Sequence, residues 1–566
     1  MSLSIGDVPE KTDYLVIGTG FGGSVMAARL AQAGRQVCVL ERGKPYPPGS
    51  FPRTPDGLAA NFWDPGRDLH GMFDVRSFIG IDAIVASGLG GGSLIYANVM
   101  LRMEPDAFTQ PHPDNQTLWE NWSFDYEDLE PHYRAVERFL DIQTVPVDHA
   151  DFDLTKTRRF LDGSDGQAEL ASLAVQFRGP DGRPVVGGEM PKAHYGNIFG
   201  TSRRTCKLCG ECDIGCNEGA KNSLDHTYLS AASHWGASIH TMTEARIIVH
   251  RRCDPDGYLF EVAYTVHPCD PADETGWRWV KAKQVILAAG SLGSTELLLR
   301  STAGNHVRLP YGVLLGSRFC GNGDLLGFAV PRTASQNFEG TRGPVITAYR
   351  HLRYRTERDS TGLRADVDMY LEDGGFPPLI AWLATIGDPR LLLGNLARGA
   401  APYLWGRFRN AHETNVSALV GGLLKGSAAA RALPLLGMGR DTADGELFLR
   451  RGGPLDSTWR LKSSRAYFEQ VHTQMRAMAA RLGARYVTNP LWGLNRVITV
   501  HPLGGCPADT SHSRGVVDRF GRVHGVPGLR VCDGSVFPGP IGANPSLTIA
   551  AFADWSATQL LDETDV

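Results

Sequence analysis

The sequence predicts an α/β protein in which one domain is built on a parallel sheet and a second, α+β domain is built on an antiparallel sheet. Three observations support this prediction. A β-α-β pattern opens the chain, apolar runs of the same kind return near residues 285–290 and 529–532, and alternating segments such as 365–371 indicate antiparallel strands. At 566 residues the chain also exceeds what one hydrophobic core organises, so at least two domains are expected.

The opening β-α-β pattern has the features of a dinucleotide site. Residues 14–17 form an apolar run, 24–33 have helical spacing, and 37–40 form a second apolar run that is followed by Glu41. The turn before the helix carries a G-x-G-x-x-G motif made of Gly18, Gly20 and Gly23. Such glycines let a pyrophosphate approach the helix N-terminus, and an acid about 20 residues later accepts hydrogen bonds from a ribose. We therefore predict a Rossmann-like domain.

Composition and charge exclude several classes of protein. Lysine and arginine total 57 against 61 acids, giving a net charge of −4, so no nucleic-acid partner is expected. The N-terminal residues lack a basic segment followed by an apolar one, and no apolar run reaches the roughly 18 residues that span a bilayer. We expect a cytoplasmic protein with at most peripheral membrane contact.

The nucleotide-binding domain is predicted to be discontinuous. Its sheet resumes in an apolar run that ends in Ala288, Ala289 and Gly290, and again in a strand that precedes Asp533 and Gly534. These returns assign this domain to residues 1–130, 235–321 and 495–566, and a substrate-binding domain to 131–234 and 322–494. The substrate-binding part contains an apolar, aromatic stretch, 376–408, that would be a lid, a membrane-touching patch or two ordinary core helices.

Three further sites carry polar or glycine-rich signals. A second glycine-rich loop over 87–98 suits close backbone approach to a flat ring or a phosphate, although a flexible linker has the same composition. His501 begins the sequence H-P-L-G-G-C, and an imidazole is the commonest general base near neutral pH, while a lone histidine is more often structural. Asn544 precedes Pro545 at a predicted helix start, where it would cap the helix.

Taken together, these motifs resemble those of a known family. They are G-T-G-F-G-G-S-V with Glu41, Arg42 and Gly43, the Gly90 to Ser93 loop, A-A-G-S-L-G-S-T-E-L-L-L, H-P-L-G-G-C, D-G-S-V-F-P and N-P-S-L-T-I-A-A. In this order, from residue 13 to 552, they resemble the glucose-methanol-choline (GMC) flavoprotein oxidoreductases. Within that family the likeness is to the bacterial cholesterol oxidases with non-covalent FAD and to mycobacterial relatives that carry a cysteine cluster.

The resemblance implies an FAD-dependent enzyme that oxidises a hydroxyl group to a carbonyl by hydride transfer to flavin N5. His501 matches the family's active-site histidine and would take the hydroxyl proton, while Asn544 would hydrogen-bond the substrate oxygen. The implied substrate is a bulky, apolar secondary alcohol such as a sterol, and the acceptor is oxygen or a protein or quinone. The residues assigned to FAD are Gly18, Gly20, Gly23, Glu41, Arg42, Gly91, Gly92, Ser93, Asn98, Ala289, Gly290, Asp533, Gly534, Asn544 and Pro545.

Two departures from the family pattern matter. Members that also isomerise the steroid double bond use a glutamate that we place near residues 428–430, where this chain has three alanines and the nearest acid upstream is Glu413. The sequence therefore argues against isomerisation, and with it against sterol specificity. Members with covalent FAD use a histidine just after the glycine-serine loop, whereas this chain has Ile95 and Tyr96, so non-covalent FAD is expected.

A cysteine cluster raises a separate question. Cys206, Cys209, Cys212 and Cys216 have the C-x2-C-x2-C-x3-C spacing of bacterial ferredoxins, but the absence of a second run argues against a simple ferredoxin module. Three of them, with C-x5-C-x3-C spacing, resemble the iron-sulfur site of FAD-dependent glucose dehydrogenases, which are also GMC proteins. We predict a 3Fe-4S or 4Fe-4S cluster, with zinc or a thiol patch without metal as alternatives.

Two other functions stay open at this point. A sugar or polyol dehydrogenase would pass electrons through such a cluster, although the tryptophan- and leucine-rich stretch 376–408 argues mildly against the polar pocket it needs. A non-catalytic flavoprotein would hold FAD without using His501 and Asn544. A nicotinamide enzyme also fits the first glycine motif, but the remaining motifs favour flavin.

Overall fold

The structure is a computed structural model of the chain. It describes residues 3–112, 115–191, 195–251, 254–268, 276–333, 335–355, 366–375, 431–451 and 453–564. The α-helices within these residues are α1 (Phe21–Gln32), α2 (Pro55–Ala59), α3 (Tyr126–Phe139), α4 (Thr155–Asp162), α5 (Tyr228–His234), α6 (Gly290–Ala303), α7 (Leu461–Arg481) and α8 (Ser546–Thr564). The predicted stretch 376–408, Glu413 and the alanines at 428–430 lie outside the described residues.

The strands follow in chain order. They are β1 (Leu3–Ile5), β2 (Lys11–Ile17), β3 (Val37–Leu40), β4 (Trp63–Asp64), β5 (Leu69–His70), β6 (Phe73–Ser77), β7 (Ile81–Ala86), β8 (Thr109–His112), β9 (Asn115–Asn121), β10 (Glu169–Leu170), β11 (Ser238–Thr241), β12 (Thr243–His250), β13 (Phe260–Val266), β14 (Arg278–Leu287), β15 (Leu325–Pro331), β16 (Ala348–Arg355), β17 (Asp366–Asp373), β18 (Leu433–Gly439), β19 (Leu447–Leu449), β20 (Leu455–Ser457), β21 (Ala484–Thr488), β22 (Val497–Thr499) and β23 (Leu529–Val531).

The larger sheet confirms the predicted Rossmann-like arrangement. Its strand order is β1-β11-β3-β2-β14-β13-β12, and β23 also pairs with β14. Strands β1, β11, β3, β2, β14 and β23 run parallel to one another. Strands β13 and β12 extend the sheet in the antiparallel direction. Val16 lies between Val39 and Ile286, so the first strand of the glycine motif is central. Burial on both faces explains its uninterrupted apolar run.

Helix α1 is enclosed almost completely. Ten of its twelve residues are buried, because α5 and α8 both pack against it. A helix that is covered on every side needs no polar face, which accounts for its alanine- and glycine-rich sequence. The helix begins directly after Gly20, three residues before the predicted start at residue 24.

The smaller sheet is antiparallel and has the order β10-β16-β17-β18-β15-β21. Helix α7 packs on it through buried residues at helical spacing, namely Phe468, Val471, Met475 and Met478. The strands of the two sheets come from interleaved parts of the chain, in agreement with a discontinuous cofactor domain, and the exact domain boundaries stay a prediction. In the part of the chain that the structure describes, no helix is long and apolar enough to cross a bilayer.

A buried ion pair joins α4 to the smaller sheet. Both Lys156 and Asp373 have fully buried side chains, and Lys156 Nζ lies 2.8 Å from Asp373 Oδ2. The ammonium also donates to Thr347 Oγ1 at 3.1 Å and to the carbonyl of Val345 at 3.2 Å. The second carboxylate oxygen accepts the backbone N–H groups of Thr347 and Ala348, both at 2.7 Å. Each charge is therefore paired and hydrogen-bonded, as burial requires.

Removal of one partner of this ion pair is expected to lower the stability of the folded protein. Lys156→Met should lower the free energy of unfolding by about 3 to 5 kcal/mol, since Asp373 stays buried without its counter-charge. The matched control is Lys11→Met, whose pair with Asp256 is exposed, and it should cost less than about 1 kcal/mol. Urea unfolding of both variants measures the difference, and equal losses would contradict this account.

Candidate active site

In the first glycine turn, two glycines pack closely against the backbone and the third faces open space. A Cβ atom on Gly18, whose φ is +100°, would lie 2.3 Å from the carbonyl oxygen of Ala288, and one on Gly23 would lie 2.1 Å from the carbonyl oxygen of Gly18. At Gly20 the nearest atom would be 4.0 Å away. Gly18 and Gly23 thus allow the backbone to pack, while Gly20 faces free volume at the start of α1, where a pyrophosphate would bind.

Glu41 lies at the end of β3 and is almost fully buried. Its Oε2 accepts hydrogen bonds from the Thr19 amide at 3.1 Å and hydroxyl at 2.5 Å, and Oε1 accepts the Gly43 amide at 2.9 Å. Burial raises the pKa of this carboxyl, and these donors oppose the rise. Since a carboxylate has about four acceptor positions, one stays available on Oε1 for a ribose hydroxyl. The neighbouring Arg42 guanidinium is held by Asp74 at 2.7 Å.

The second glycine loop docks on the first. A Cβ atom on Gly91 would lie 2.7 Å from Gly20 Cα, and the Gly90 amide donates to Thr19 Oγ1 at 2.9 Å. Gly92 has no atom within 4 Å of the position of a Cβ. The Ser93 hydroxyl is occupied internally, because it donates to the Gly90 carbonyl at 2.7 Å and accepts the Leu224 amide at 3.0 Å. Ser93 therefore shapes the loop.

The predicted cofactor segment at Ala289 and Gly290 lies beside the first glycine turn. A Cβ on Gly18 would lie 2.9 Å from Ala289 Cα, and Gly290, with φ +80°, faces open space. Asp533 is buried and accepts four hydrogen bonds, from the Gly290 amide, the Ser294 hydroxyl, and the amide and hydroxyl of Ser535. Its carboxylate has no spare acceptor position for a ligand, so Asp533 holds the start of α6. The adjacent Gly534 packs against Leu503 and Pro502.

His501 is held by an acid that the sequence did not indicate. The ring Nδ1 lies 2.8 Å from Asp324 Oδ1, and the side chain of Asp324 is only 3% exposed. The other oxygen of Asp324 accepts the Val500 amide at 2.8 Å and the Thr499 hydroxyl at 3.0 Å. A carboxylate accepts only from a protonated nitrogen, so the proton belongs on Nδ1 and Nε2 is left as a free base in the neutral ring.

Asn544 lies beside a second acid that the sequence did not indicate, Glu372 on β17. Glu372 is completely buried, and neither of its oxygens meets hydrogen-bond geometry with any described residue. Burial raises the pKa of its carboxyl well above the usual range, the Asp373 charge raises it further, and the Asn544 amide opposes the rise. The Oδ1 atom of Asn544 also lacks a hydrogen-bond partner among the described residues. Asp324 also raises the pKa of Glu372. Asp324 contacts His501, and Asn322 in the same loop donates to the carbonyl of Ala543 beside Asn544, so these four residues, His501, Asp324, Glu372 and Asn544, are described together as one polar cluster.

Sequence signals for these acids exist but are weak. Asp324 ends the run Gly321-Asn322-Gly323-Asp324 directly before a strand, a pattern typical of a structured turn. Glu372 shares the face of β17 with Tyr370, since alternate residues point the same way. Neither pattern states which residue the acid will meet.

The cysteine cluster forms one small cavity, of about 20 Å³, lined by Cys206, Cys209, Cys212 and Cys216. Burial raises the pKa of Cys206 and Cys209 well above that of a free thiol. Lys221 is buried at the cavity and donates to the carbonyls of Leu94, Tyr96 and Cys212 at 3.1, 2.9 and 2.8 Å. The cysteine loop is thereby fixed to the second glycine loop.

The arrangement of these thiols does not support the predicted metal site. Within the described ranges, no group of three or more histidine, cysteine, aspartate or glutamate side chains is placed to hold a metal ion. The four cysteines nevertheless line one cavity, so their spacing brings them together in the fold.

Family models and individual known proteins both match this chain. Models of GMC oxidoreductases match residues 190–322 and 462–553, and a model of NAD(P)-binding Rossmann-like domains matches 16–47. A cholesterol oxidase of Mycobacterium tuberculosis is 30% identical over 97% of this chain and 91% of its own length. One from Acinetobacter baumannii is 29% identical over 96% and 93%.

More distant relatives widen the range of alcohols. The long-chain-alcohol oxidase FAO4B of Arabidopsis thaliana is 22% identical over 98% of this chain and 67% of its own length. The crystal structure of pyridoxine 4-oxidase from Mesorbium loti, at 16% identity, superimposes with a TM-score of 0.54 over 97% of this chain and 99% of that one, which supports the fold. Fold and relatives define an FAD-dependent oxidoreductase that acts on alcohols. The chain belongs to the GMC oxidoreductase family.

Gly20 is one of three glycines in these loops that face open space, with Gly92 and Gly290, and its substitution tests the placement of FAD. Gly20→Ala should leave the stability of the apoprotein unchanged, because its Cβ meets free volume and its backbone is not left-handed. It should weaken FAD binding at least about tenfold if the pyrophosphate passes this atom. The control is Gly493→Ala. A Cβ atom on Gly493 also meets open space, and this glycine lies outside the three segments assigned to FAD. Fluorescence titration of apoprotein with FAD gives the affinities, and equal affinity of both variants would refute the placement.

Proposed function

We propose that this protein oxidises the hydroxyl group of a bulky, apolar alcohol, with a sterol as first candidate, to a carbonyl, and that His501 is the base. The observation that carries the proposal is the hydrogen bond from His501 Nδ1 to Asp324, 2.8 Å long. It fixes the tautomer in which Nε2 is unprotonated, which is the form that accepts a hydroxyl proton.

Asn544 and Glu372 supply the other polar contacts in the proposal. Oδ1 of Asn544 and both oxygens of Glu372 are buried and lack hydrogen-bond partners among the described residues. Because the single hydroxyl proton goes to His501, Glu372 gains a hydrogen bond from the substrate only as a donor, in its protonated form. Leaving such atoms without partners costs roughly 1 to 3 kcal/mol each, so substrate binding is favoured by their pairing. A neutral Glu372 would donate to the substrate oxygen.

Glu372 also reopens a second reaction. The resemblance associates a glutamate in the substrate-binding domain with isomerisation of the steroid double bond, and the sequence comparison placed it near residues 428–430, where this chain has no acid. Glu372, next to Asn544, is an acid of the required kind, which favours isomerisation of a sterol product as a second candidate activity.

FAD, when bound, would supply the hydride acceptor, its N5 atom. We propose that it is bound without a covalent link, and that Gly20, Gly92 and Gly290 line its path, since each faces open space. Glu41 would accept the ribose hydroxyl through the free position of Oε1. The residues of the chain then orient the alcohol, exclude water from the buried polar cluster and remove the hydroxyl proton.

The substrate class is proposed from the relatives. Cholesterol oxidases at 29 to 30% identity and a long-chain-alcohol oxidase at 22% are named for large, apolar alcohols. A polyol would require a polar pocket, whereas Ile541 and Ala543, next to Asn544 in the chain, belong to a buried apolar cluster that also contains Tyr370 and Met438.

Anaerobic reduction of the bound flavin tests this function. Cholesterol or 1-dodecanol should bleach the flavin absorbance of the purified holoenzyme, and D-glucose should not. His501→Ala should keep its flavin and reduce it about 10² to 10⁴ times more slowly, because general-base assistance is worth that much. His524→Ala, which removes a histidine bound to the Asp509 carbonyl, is the matched control and should keep the full rate. A flavin that no alcohol bleaches would indicate a non-catalytic flavoprotein.

The electron acceptor is proposed to be oxygen, in keeping with relatives named as oxidases. The iron-sulfur cluster stays a prediction that the arrangement of the thiols does not support. It requires iron and acid-labile sulfide, at about three or four of each per chain, in protein purified without oxygen. Absence of both would remove the cluster and the dehydrogenase that depends on it.

A further inference from the structure

The short loop before β15, Cys320 to Asp324, contacts both halves of the proposed active site. On one side Cys320 exchanges two backbone hydrogen bonds with Leu503, each 3.1 Å long, and Asp324 holds His501. On the other side Asn322 contacts the segment that leads into Asn544. One five-residue loop therefore touches the segment of the base and the segment of its partner amide.

Asn322 makes the second connection with both ends of its side-chain amide. Its Nδ2 donates to the carbonyl of Ala543 at 2.9 Å, and its Oδ1 accepts the N–H of Gly542 at 2.9 Å. The carbonyl of Asn322 accepts the Gly439 amide at 3.1 Å, which ties the loop to β18 as well. Asn322 is completely buried and has φ +53°, a conformation that asparagine and glycine adopt more readily than other residues.

We propose that Asn322 is a positioning residue that sets the place of Asn544 relative to His501. The residues it grips, Gly542 and Ala543, come directly before Asn544, and Gly542 itself is left-handed with φ +86°. Without the Asn322 side chain, the turn at Gly542 and Ala543 loses two hydrogen bonds that fix its direction. Because Asp324 belongs to the same loop, the distance between base and amide is set by one rigid piece of chain. The inference rests on the proposed function, in which both residues meet the substrate.

The test begins with Asn322→Gly, which removes both side-chain bonds and tolerates the positive φ. We expect the rate of flavin reduction per bound flavin to fall about ten- to a hundredfold, since a displacement of about 1 Å has effects of that size. The alcohol is whichever of cholesterol and 1-dodecanol reduces the wild-type flavin faster. Asn305→Gly makes the same exchange at an exposed, left-handed asparagine and should not change the rate.

A double-substitution experiment separates positioning from general stability. If Asn322 acts through Asn544, adding Asn322→Gly to Asn544→Ala should change the rate by less than about twofold. Hydrogen exchange gives a readout that needs no activity. The peptide that contains Gly542 should exchange faster in Asn322→Gly than in wild type, with or without FAD, because the bond from this N–H is lost.

The outcomes are decisive in each direction. Faster exchange, slower reduction and loss of the effect in the Asn544→Ala background support the inference. An unchanged reduction rate, or an equal loss in both backgrounds, overturns it even if exchange is faster. A wild-type flavin that neither alcohol reduces removes the proposed function and this inference with it, and that failure is seen before any substitution is made.

Discussion

The hydrogen bond between His501 and Asp324 is the interaction on which the proposed chemistry depends. It joins residues 177 positions apart and fixes the proton on Nδ1. Asp324 is itself held by Thr499 and Val500, so the acid cannot turn away from the ring. A loop histidine becomes a defined base only because a buried, immobile acceptor lies behind it.

The cofactor site depends on a second constraint, the contact between two glycine loops. Gly91 approaches Gly20 so closely that a Cβ atom on Gly91 would lie 2.7 Å from Gly20 Cα, whereas Gly20 itself faces open space. Thr19 links both loops to Glu41 through its hydroxyl. The proposed FAD path is thus assembled from segments around residues 18, 90 and 290. The first and third come together because β2 and β14 are neighbours in the sheet, and the Gly90 amide joins the second to Thr19.

Local features could be predicted from the sequence, and long-range partners could not. The β-α-β unit was predictable because strand, glycines, helix and acid lie within 30 residues. His501 and Asn544 were identified by resemblance. Asp324 and Glu372 were missed, since their roles arise from sheet register and loop packing that no local pattern encodes. The cysteine spacing illustrates the converse, because the four cysteines line one cavity although no group of side chains among the described residues is placed to hold a metal ion.

The most direct test of the account is the rate of anaerobic flavin reduction in Asp324→Asn. An asparagine amide would donate to Nδ1 and move the ring proton to Nε2, so the base would be blocked while the packing is kept. We expect reduction to slow by about 10² to 10⁴ with normal flavin content. Asp509→Asn, at a partly exposed acid paired with Arg514, is the control. A rate for Asp324→Asn within about twofold of wild type would contradict the role assigned to His501 and its acid.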